Sequence, residues 1–259
     1  MIINSPGPRK VALVTGSASG IGRSIAVALG VAGFDVAINY SRSEAAARET
    51  ERLAQQAGAR TVVLKADVSR EDEVVAMIES VDRTFGGRLD LLVNNAGTTT
   101  DVPPAQFDQL TVEEFDRVLA VNVRGTFLVT KHAARLLRGM DEADVINTAS
   151  IVGLRPGPQP LPYSASKAAI ISMTQTLAGA LGPKIRVNAL APGWMEGDWM
   201  QKALGSNYDR LMERRANATP LKRCATADDV GATAVAIATS MRFMTGQTFI
   251  VDGGYSAVT

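Results

Sequence analysis

Cysteine and histidine are nearly missing from this chain of 259 residues, which holds one of each, Cys224 and His132. An internal disulfide is therefore excluded, and a histidine-based metal centre or a Ser-His-Asp triad has too few members. An excess of either charge is missing as well. The 27 Lys and Arg residues stand against 26 Asp and Glu, a net charge of +1. That balance offers neither the basic footprint of a nucleic-acid binder nor a polybasic membrane patch, so small molecules are the natural partners. No apolar run approaches the ~18 residues of a membrane span, and the segment Met1–Lys10 carries prolines and no hydrophobic signal core. The expectation is a cytoplasmic, metal-free protein that engages neither nucleic acid nor membrane. Its length suits one large α/β domain over residues 1–259, with residues 1–8 a flexible extension and no visible linker.

What is present is a recurring short run of Val, Ile and Leu, at Val11–Thr15, Val36–Asn39, Thr61–Lys65, Leu89–Asn94, Val145–Thr148, Ile185–Leu190 and Thr248–Val251. Runs of this length read as buried strands. Between them, helical patterns cover Ile21–Ala32, Ser43–Gln56, Ser69–Phe85, Thr111–Arg138, Tyr163–Leu181 and Thr226–Ala238. The first three are closed by Gly33, Gly58 and the Gly86-Gly87 pair, and the pairs Thr111/Glu114 and Thr226/Asp229 make capping boxes. Strand and helix in alternation predict right-handed crossovers. The predicted fold is a Rossmann-type, doubly wound α/β domain: a seven-stranded parallel sheet with helices on both faces.

Directly after the first strand comes Thr15-Gly16-Ser17-Ala18-Ser19-Gly20-Ile21-Gly22, leading into a helix. Such a loop suits a pyrophosphate: Gly16 permits the turn, Gly20 the approach of backbone to phosphate, and Gly22 close helix–strand packing. The free N–H groups of the helix start complete the anion site, in which Ser17, Ser19 and Ile21 take part. An acidic residue at the end of the second strand would accept hydrogen bonds from a ribose 2′-hydroxyl, and an arginine would suit a 2′-phosphate. Here the chain reads Asn39-Tyr40-Ser41-Arg42-Ser43. The cofactor preference is accordingly NADP(H), with Arg42 and Ser41 on the phosphate and NAD(H) second.

Further on, Tyr163-Ser164-Ala165-Ser166-Lys167 puts a phenol and an ammonium one helical turn apart, with Ser150 upstream. A free phenol titrates near ~10, and a unit positive charge about 4 Å away at an effective dielectric of ~20 would favour the phenolate by roughly 4 kcal/mol. Tyr163 could then exchange a proton as a carbonyl and an alcohol interconvert.

Taken in order, the glycine loop, Asp67-Val68, Asn94-Asn95-Ala96-Gly97, Asn122 in Val121-Asn122-Val123, Ser150, Tyr163/Lys167 and Pro192-Gly193 resemble the short-chain dehydrogenase/reductase family over nearly the whole chain. Within it, Ile38–Glu44 and Asp252-Gly253-Gly254 look most like 3-oxoacyl-acyl-carrier-protein reductases and their relatives. The resemblance implies an oxidoreductase in which Tyr163 is the general acid, Ser150 bonds the substrate oxygen, and Lys167 lowers the phenol's pKa and holds the nicotinamide ribose. Asn122 would kink its long helix and anchor a relay water. Asp67 and Val68 would meet the adenine, Asn94 would floor the cofactor site, and Ala96, Gly97, Pro192, Gly193 and Met195 would complete it. It also implies a homotetramer built through the two long helices and the closing segment.

Two departures bear on substrate. Gly197 stands where relatives usually carry a threonine that binds the nicotinamide carboxamide, and Leu177-Ala178-Gly179-Ala180 lacks an arginine often linked to carrier-protein docking. Lys131, Arg135 and Arg138 share one face of the preceding helix, which reads as a solvated or subunit-facing stripe. Residues 193–220 form the natural lid over the substrate. Trp194 and Trp199 are its substrate-binding residues, and Met195, Met200 and Tyr208 add to an apolar pocket faced by the proline-rich segment 154–162. A ketone or 3-oxoacyl-type substrate follows. The alternatives are an NAD-dependent sugar or polyol dehydrogenase, an epimerase or dehydratase using Glu196 as an extra base, and a cofactor-sensing protein without catalysis.

Overall fold

The computed structural model describes residues 9–155 and 157–259. The extension predicted for residues 1–8 lies outside the described residues. Seven parallel strands form one sheet in the order β3-β2-β1-β4-β5-β6-β7. They are β1 (Lys10–Val14), β2 (Phe34–Tyr40), β3 (Thr61–Lys65), β4 (Leu91–Asn94), β5 (Ala143–Thr148), β6 (Ile185–Pro192) and β7 (Thr248–Val251). Every residue of β2, β4 and β5 is buried, as central strands covered on both faces require. The seven predicted runs are these seven strands. β2 and β5 begin two residues earlier than their Val/Ile runs, because Phe34 and Ala143 already pair in register with Lys10 and Ile185.

Helices α1 (Gly20–Val31) and α2 (Glu44–Gln56) cover one face with α9 (Ala227–Thr239), burying Ile25, Leu29, Val230 and Ile237 against Val14, Val36 and Ile38. On the other face lie α3 (Glu71–Phe85), α4 (Val112–Leu119), α5 (Gly125–Arg138) and α6 (Leu161–Leu181). Val74, Ile78, Leu128, Leu136 and Ala178 pack there against Leu13, Leu92 and Val145. Both capping boxes form, Thr111 with Glu114 and Thr226 with Asp229.

The helix predicted over Thr111–Arg138 stays helical from Val112 to Arg138, with its irregularity at Asn122. A π turn at Ala120–Arg124 separates α4 from α5, with Asn122 buried at its centre. Beyond β6 the lid contains α7 (Asp198–Leu204) and α8 (Tyr208–Ala218), and α10 (Tyr255–Val258) follows β7.

β1 pairs with β2 on one side and with β4 on the other, so the connections leaving its two neighbours run in opposite directions. A crevice opens at the carboxyl ends where the winding reverses, which is where open α/β sheets bind ligands.

Candidate active site

A cavity of 730 Å³ occupies that crevice, running from Gly16, Ser41 and Arg42 to Ser150, Tyr163 and Trp199. At its first end β1 leaves the sheet through Gly16, whose φ of +61° is the left-handed region; a Cβ there would stand 2.7 Å from the Ala96 Cα. Gly22, inside α1, is needed for space: its Cβ would meet the Gly16 carbonyl at 2.4 Å. Ser19, the N-cap of α1, makes no side-chain capping bond, so the first N–H groups of the helix keep their capacity for an anion. Gly16, Ser19, Gly20 and Ile21 border the cavity.

Asn39, at the end of β2, is buried and fully employed. Its Oδ1 accepts from the Gly16 N–H at 3.1 Å, while its Nδ2 donates to the Ala66 and Leu64 carbonyls at 3.0 and 3.3 Å. Ser41 and Arg42 follow it, exposed and facing the same cavity, and Lys65 borders it from the adjacent end of β3. The Asp67 carboxylate accepts from the Ser69 N–H and hydroxyl at 2.9 and 2.7 Å, which fixes its orientation at the wall it forms with Val68.

At the second end α6 begins just before Tyr163 and carries Tyr163 and Lys167 on one face. The ammonium of Lys167 is buried, donates to the Thr148 carbonyl at 2.7 Å, and lies 5.5 Å from the centroid of the Tyr163 ring. Burial pushes the Tyr163 phenol up to about 12, and the neighbouring Ser150 hydroxyl pulls it partly back. Burial alone pushes the lysine down to about 8. The phenol thus stands above its ordinary value, where the sequence-based expectation placed it below. One turn of helix brings the two groups together, and loss of solvent around the phenol is the largest influence on its proton. The Ser150 hydroxyl accepts from the Val152 N–H at 3.4 Å and reaches the Pro192 carbonyl at 3.5 Å, both long contacts that leave it free to turn to a ligand. Trp199 of α7 stands over Tyr163, ring centroids 6.4 Å apart and tilted by 56°. Trp194 and Met195 line the cavity beside Pro192 and Gly193.

Gly197 adopts φ +121°, a conformation closed to threonine without strain, and its N–H donates to the Tyr208 hydroxyl at 3.3 Å.

Four predicted residues do not border the cavity: Ser17, Gly22, Asn94 and Asn122. Ser17 turns inward, donating to the Val14 carbonyl at 2.8 Å and accepting from the Asn39 N–H at 3.1 Å. Asn94 points toward α5, its Nδ2 donating to Thr130 Oγ1 of that helix and to Asn147 Oδ1 of β5, each at 2.9 Å. Its neighbour Asn95 is the one on the wall, donating to the Thr15 and Gly16 carbonyls at 3.1 Å. Neighbours along an extended chain point to opposite sides, so the motif itself carried the signal that only one of the two faces the ligand. Asn122 sits one layer back. Its Oδ1 accepts from the Thr98 N–H at 2.8 Å, and its Nδ2 donates to the Thr98 carbonyl and Ser166 Oγ at 3.0 and 2.9 Å. Its side chain thus ties the Gly97–Thr98 wall to α6. Ala96 and Gly97 line the cavity.

A Rossmann sheet with a phosphate loop at one end of its crevice and a Ser-Tyr-Lys group at the other defines an oxidoreductase that takes a nicotinamide dinucleotide. Comparison with known proteins is consistent with that class. The family profile described as enoyl-(acyl carrier protein) reductase matches residues 16–256. The 3-oxoacyl-acyl-carrier-protein reductase of Staphylococcus epidermidis is 38% identical over 248 residues, 95% of this chain and 98% of the relative. Among solved structures, a NAD+-bound xylitol dehydrogenase aligns with TM-score 0.86 at 31% identity over 95% of this chain and 98% of its own. A variant of the actinorhodin polyketide ketoreductase with NADPH aligns with TM-score 0.87 at 29% identity over 95% and 97%. The chain belongs to the short-chain dehydrogenase/reductase family and acts on the CH–OH/C=O pair with NAD(P).

Proposed function

We propose that the protein is an NADPH-dependent reductase of bulky ketones or 3-oxoacyl compounds, with Tyr163 as the proton donor. The observation that carries the reading is the shared cavity on which Ser150, Tyr163 and Lys167 stand at one end and Gly16, Ser19, Gly20 and Ile21 at the other. The uncapped start of α1 and the glycine cradle fit a dinucleotide pyrophosphate, and the bound nicotinamide supplies the hydride.

Each of the chain's own groups has a task. Ser150 donates a hydrogen bond to the substrate oxygen as negative charge builds there. Tyr163, held protonated by its raised pKa, delivers its proton to that oxygen, which as an alkoxide is the stronger base. Lys167, protonated below about 8, stabilises the tyrosinate left behind and would hold the nicotinamide ribose. Asn122 positions the Thr98 backbone and α6, without touching substrate.

The preference for NADPH rests on Asn39 and Arg42. Asn39 stands where an acidic partner for a 2′-hydroxyl would be, and all its polar atoms hold the loops together. Arg42 enters no ion pair among the described residues and faces the cavity with Ser41. Names of relatives favour neither cofactor, since the two aligned structures carry NAD+ and NADPH. Trp194, Trp199 and Met200 make the substrate end apolar, with residues 193–220 as the lid. Exposed Phe127 on α5 fits burial against a second copy in a cytoplasmic homotetramer. Among the described residues, no helix is long and apolar enough to cross a membrane.

Mixing the purified protein with NADPH or NADH and a panel of ketones, 3-oxoacyl thioesters and sugars, while following cofactor absorbance, tests the reading. Oxidation of NADPH by bulky ketones is the expected result; activity confined to polyols with NAD+ would replace it.

A further inference from the structure

The segment after β7 reaches back to the cavity and is held there from three sides. Asp252 is buried, and its carboxylate accepts from the Gly254 and Ser256 N–H groups at 2.8 Å each, shaping the short α10 turn. Gly193 packs so closely on Asp252 that a Cβ would stand 2.5 Å from the Asp252 Cβ, so the turn is seated on the strand end that carries Pro192. From the loop following Ser150, Arg155 donates to the Ser256 carbonyl at 2.9 Å. From the lid helix α8, Arg215 donates to the Tyr255 hydroxyl at 2.7 Å. The same guanidinium lies 4.3 Å from the Trp194 ring centroid and 5.8 Å from that of Tyr255, linking the two rings. Tyr255, Trp194 and Arg155 all border the cavity.

We propose that Tyr255 is a specificity-determining residue that limits the width of the carbonyl compound reaching Tyr163. This deepens the functional reading above and rests on it. A ring fixed at its hydroxyl by Arg215, on a turn fixed by Asp252 and Arg155, cannot swing aside for a wider ligand as a free surface tyrosine would. Arg215 belongs to the lid and Arg155 to the opposite loop, so the turn also couples the two walls between which the substrate enters. Sequence signals for the segment end at Asp252-Gly253-Gly254; nothing in its spacing announces that Tyr255 returns to the site.

The test compares NADPH-dependent reduction of cyclohexanone with that of 2-decalone. Tyr255→Ala should raise the decalone-to-cyclohexanone ratio of kcat/KM about tenfold, chiefly through a lower KM for the bicyclic ketone, as expected for pocket volume. Tyr255→Phe, which keeps the ring but loses the hydroxyl held by Arg215, and Arg215→Met, which removes the partner of that hydroxyl, should each raise it by a smaller factor than alanine does. NADPH affinity, read by fluorescence, should be unchanged and serves as the folding control. If Tyr255→Ala fails to fold, Tyr255→Leu takes its place with the same expectation. A ratio unchanged or lowered in both variants overturns the inference while leaving the functional reading intact. Failure of the unmodified protein to reduce these ketones or a 3-oxoacyl thioester with NADPH overturns the reading itself, and the inference with it.

Discussion

Lys167 donates its 2.7 Å hydrogen bond to the backbone carbonyl of Thr148, the last residue of β5, rather than to any carboxylate. A buried ammonium whose named partner is a neutral carbonyl is held at an electrostatic cost, and that cost is the origin of its lowered pKa. The same carbonyl fixes the ammonium between the Tyr163 ring and the Gly97 backbone, where a Cβ on Gly97 would lie 3.8 Å from Nζ.

That cost has a measurable sign. The folded-state pKa of about 8 lies below the ordinary lysine value of 10.5, so the unfolded chain binds the extra proton between these values and stability rises with pH across that window. Below about 8 the penalty is fully present, on the order of 3 kcal/mol. Lys167→Met should therefore abolish turnover yet increase the unfolding free energy at pH 7, and the gain should vanish by pH 10.5. Urea denaturation at several pH values checks this; a variant less stable than the parent at pH 7 would refute the assignment.

Tyr163→Phe removes the transferable proton and little else. Turnover should fall by about 10³-fold or more, while NADPH binding, followed by fluorescence, stays close to that of the parent. Near-normal turnover would place the proton donor elsewhere.

For the proton donor itself, a phenol held up near 12 stays protonated through the neutral range, so reduction should be flat with pH until Lys167 loses its charge near 8 and then decline. Alcohol oxidation needs the tyrosinate beside a charged Lys167, so it should rise with pH up to about 8 and then level. Parallel pH profiles for the two directions would contradict the division of roles between the two side chains.

Arg42→Ala tests cofactor choice. Loss of a charge-assisted contact to a 2′-phosphate is worth roughly 1.5–3 kcal/mol, so NADPH affinity should weaken about 10- to 100-fold with NADH affinity unchanged. Equal effects on both cofactors would remove the 2′-phosphate role.

Asn122→Ala leaves the Thr98 N–H and carbonyl and Ser166 Oγ without a partner they now share. Destabilisation of about 2–4 kcal/mol is expected from such orphaned groups, together with a fall in kcat larger than the change in KM. Calorimetry and steady-state kinetics on one preparation separate the two effects.

The strands and the order of motifs were legible because central parallel strands are buried on both faces and leave unbroken Val/Ile/Leu runs such as Val36–Asn39. The phosphate loop was legible because Gly16 and Gly22 answer to backbone conformation and to close packing, which few other residues satisfy. Asn94 and Asn95 were not told apart, since the motif names both and the direction of each side chain depends on where β4 ends. Tyr255 and Arg215 were missed because they lie 40 residues apart and meet only through the lid and the final turn.

By itself, then, the sequence determined the doubly wound sheet, the phosphate loop and the Ser150–Tyr163–Lys167 group, each through local constraints of period, backbone angle or helical spacing. Tertiary structure decided the protonation behaviour and the shape of the substrate end. Desolvation depends on everything packed around a group, and it pushes the Tyr163 phenol upward. Cavity walls likewise depend on which distant segments return, and Arg155, Arg215 and Tyr255 acquire their places only when β7 has closed the edge of the sheet.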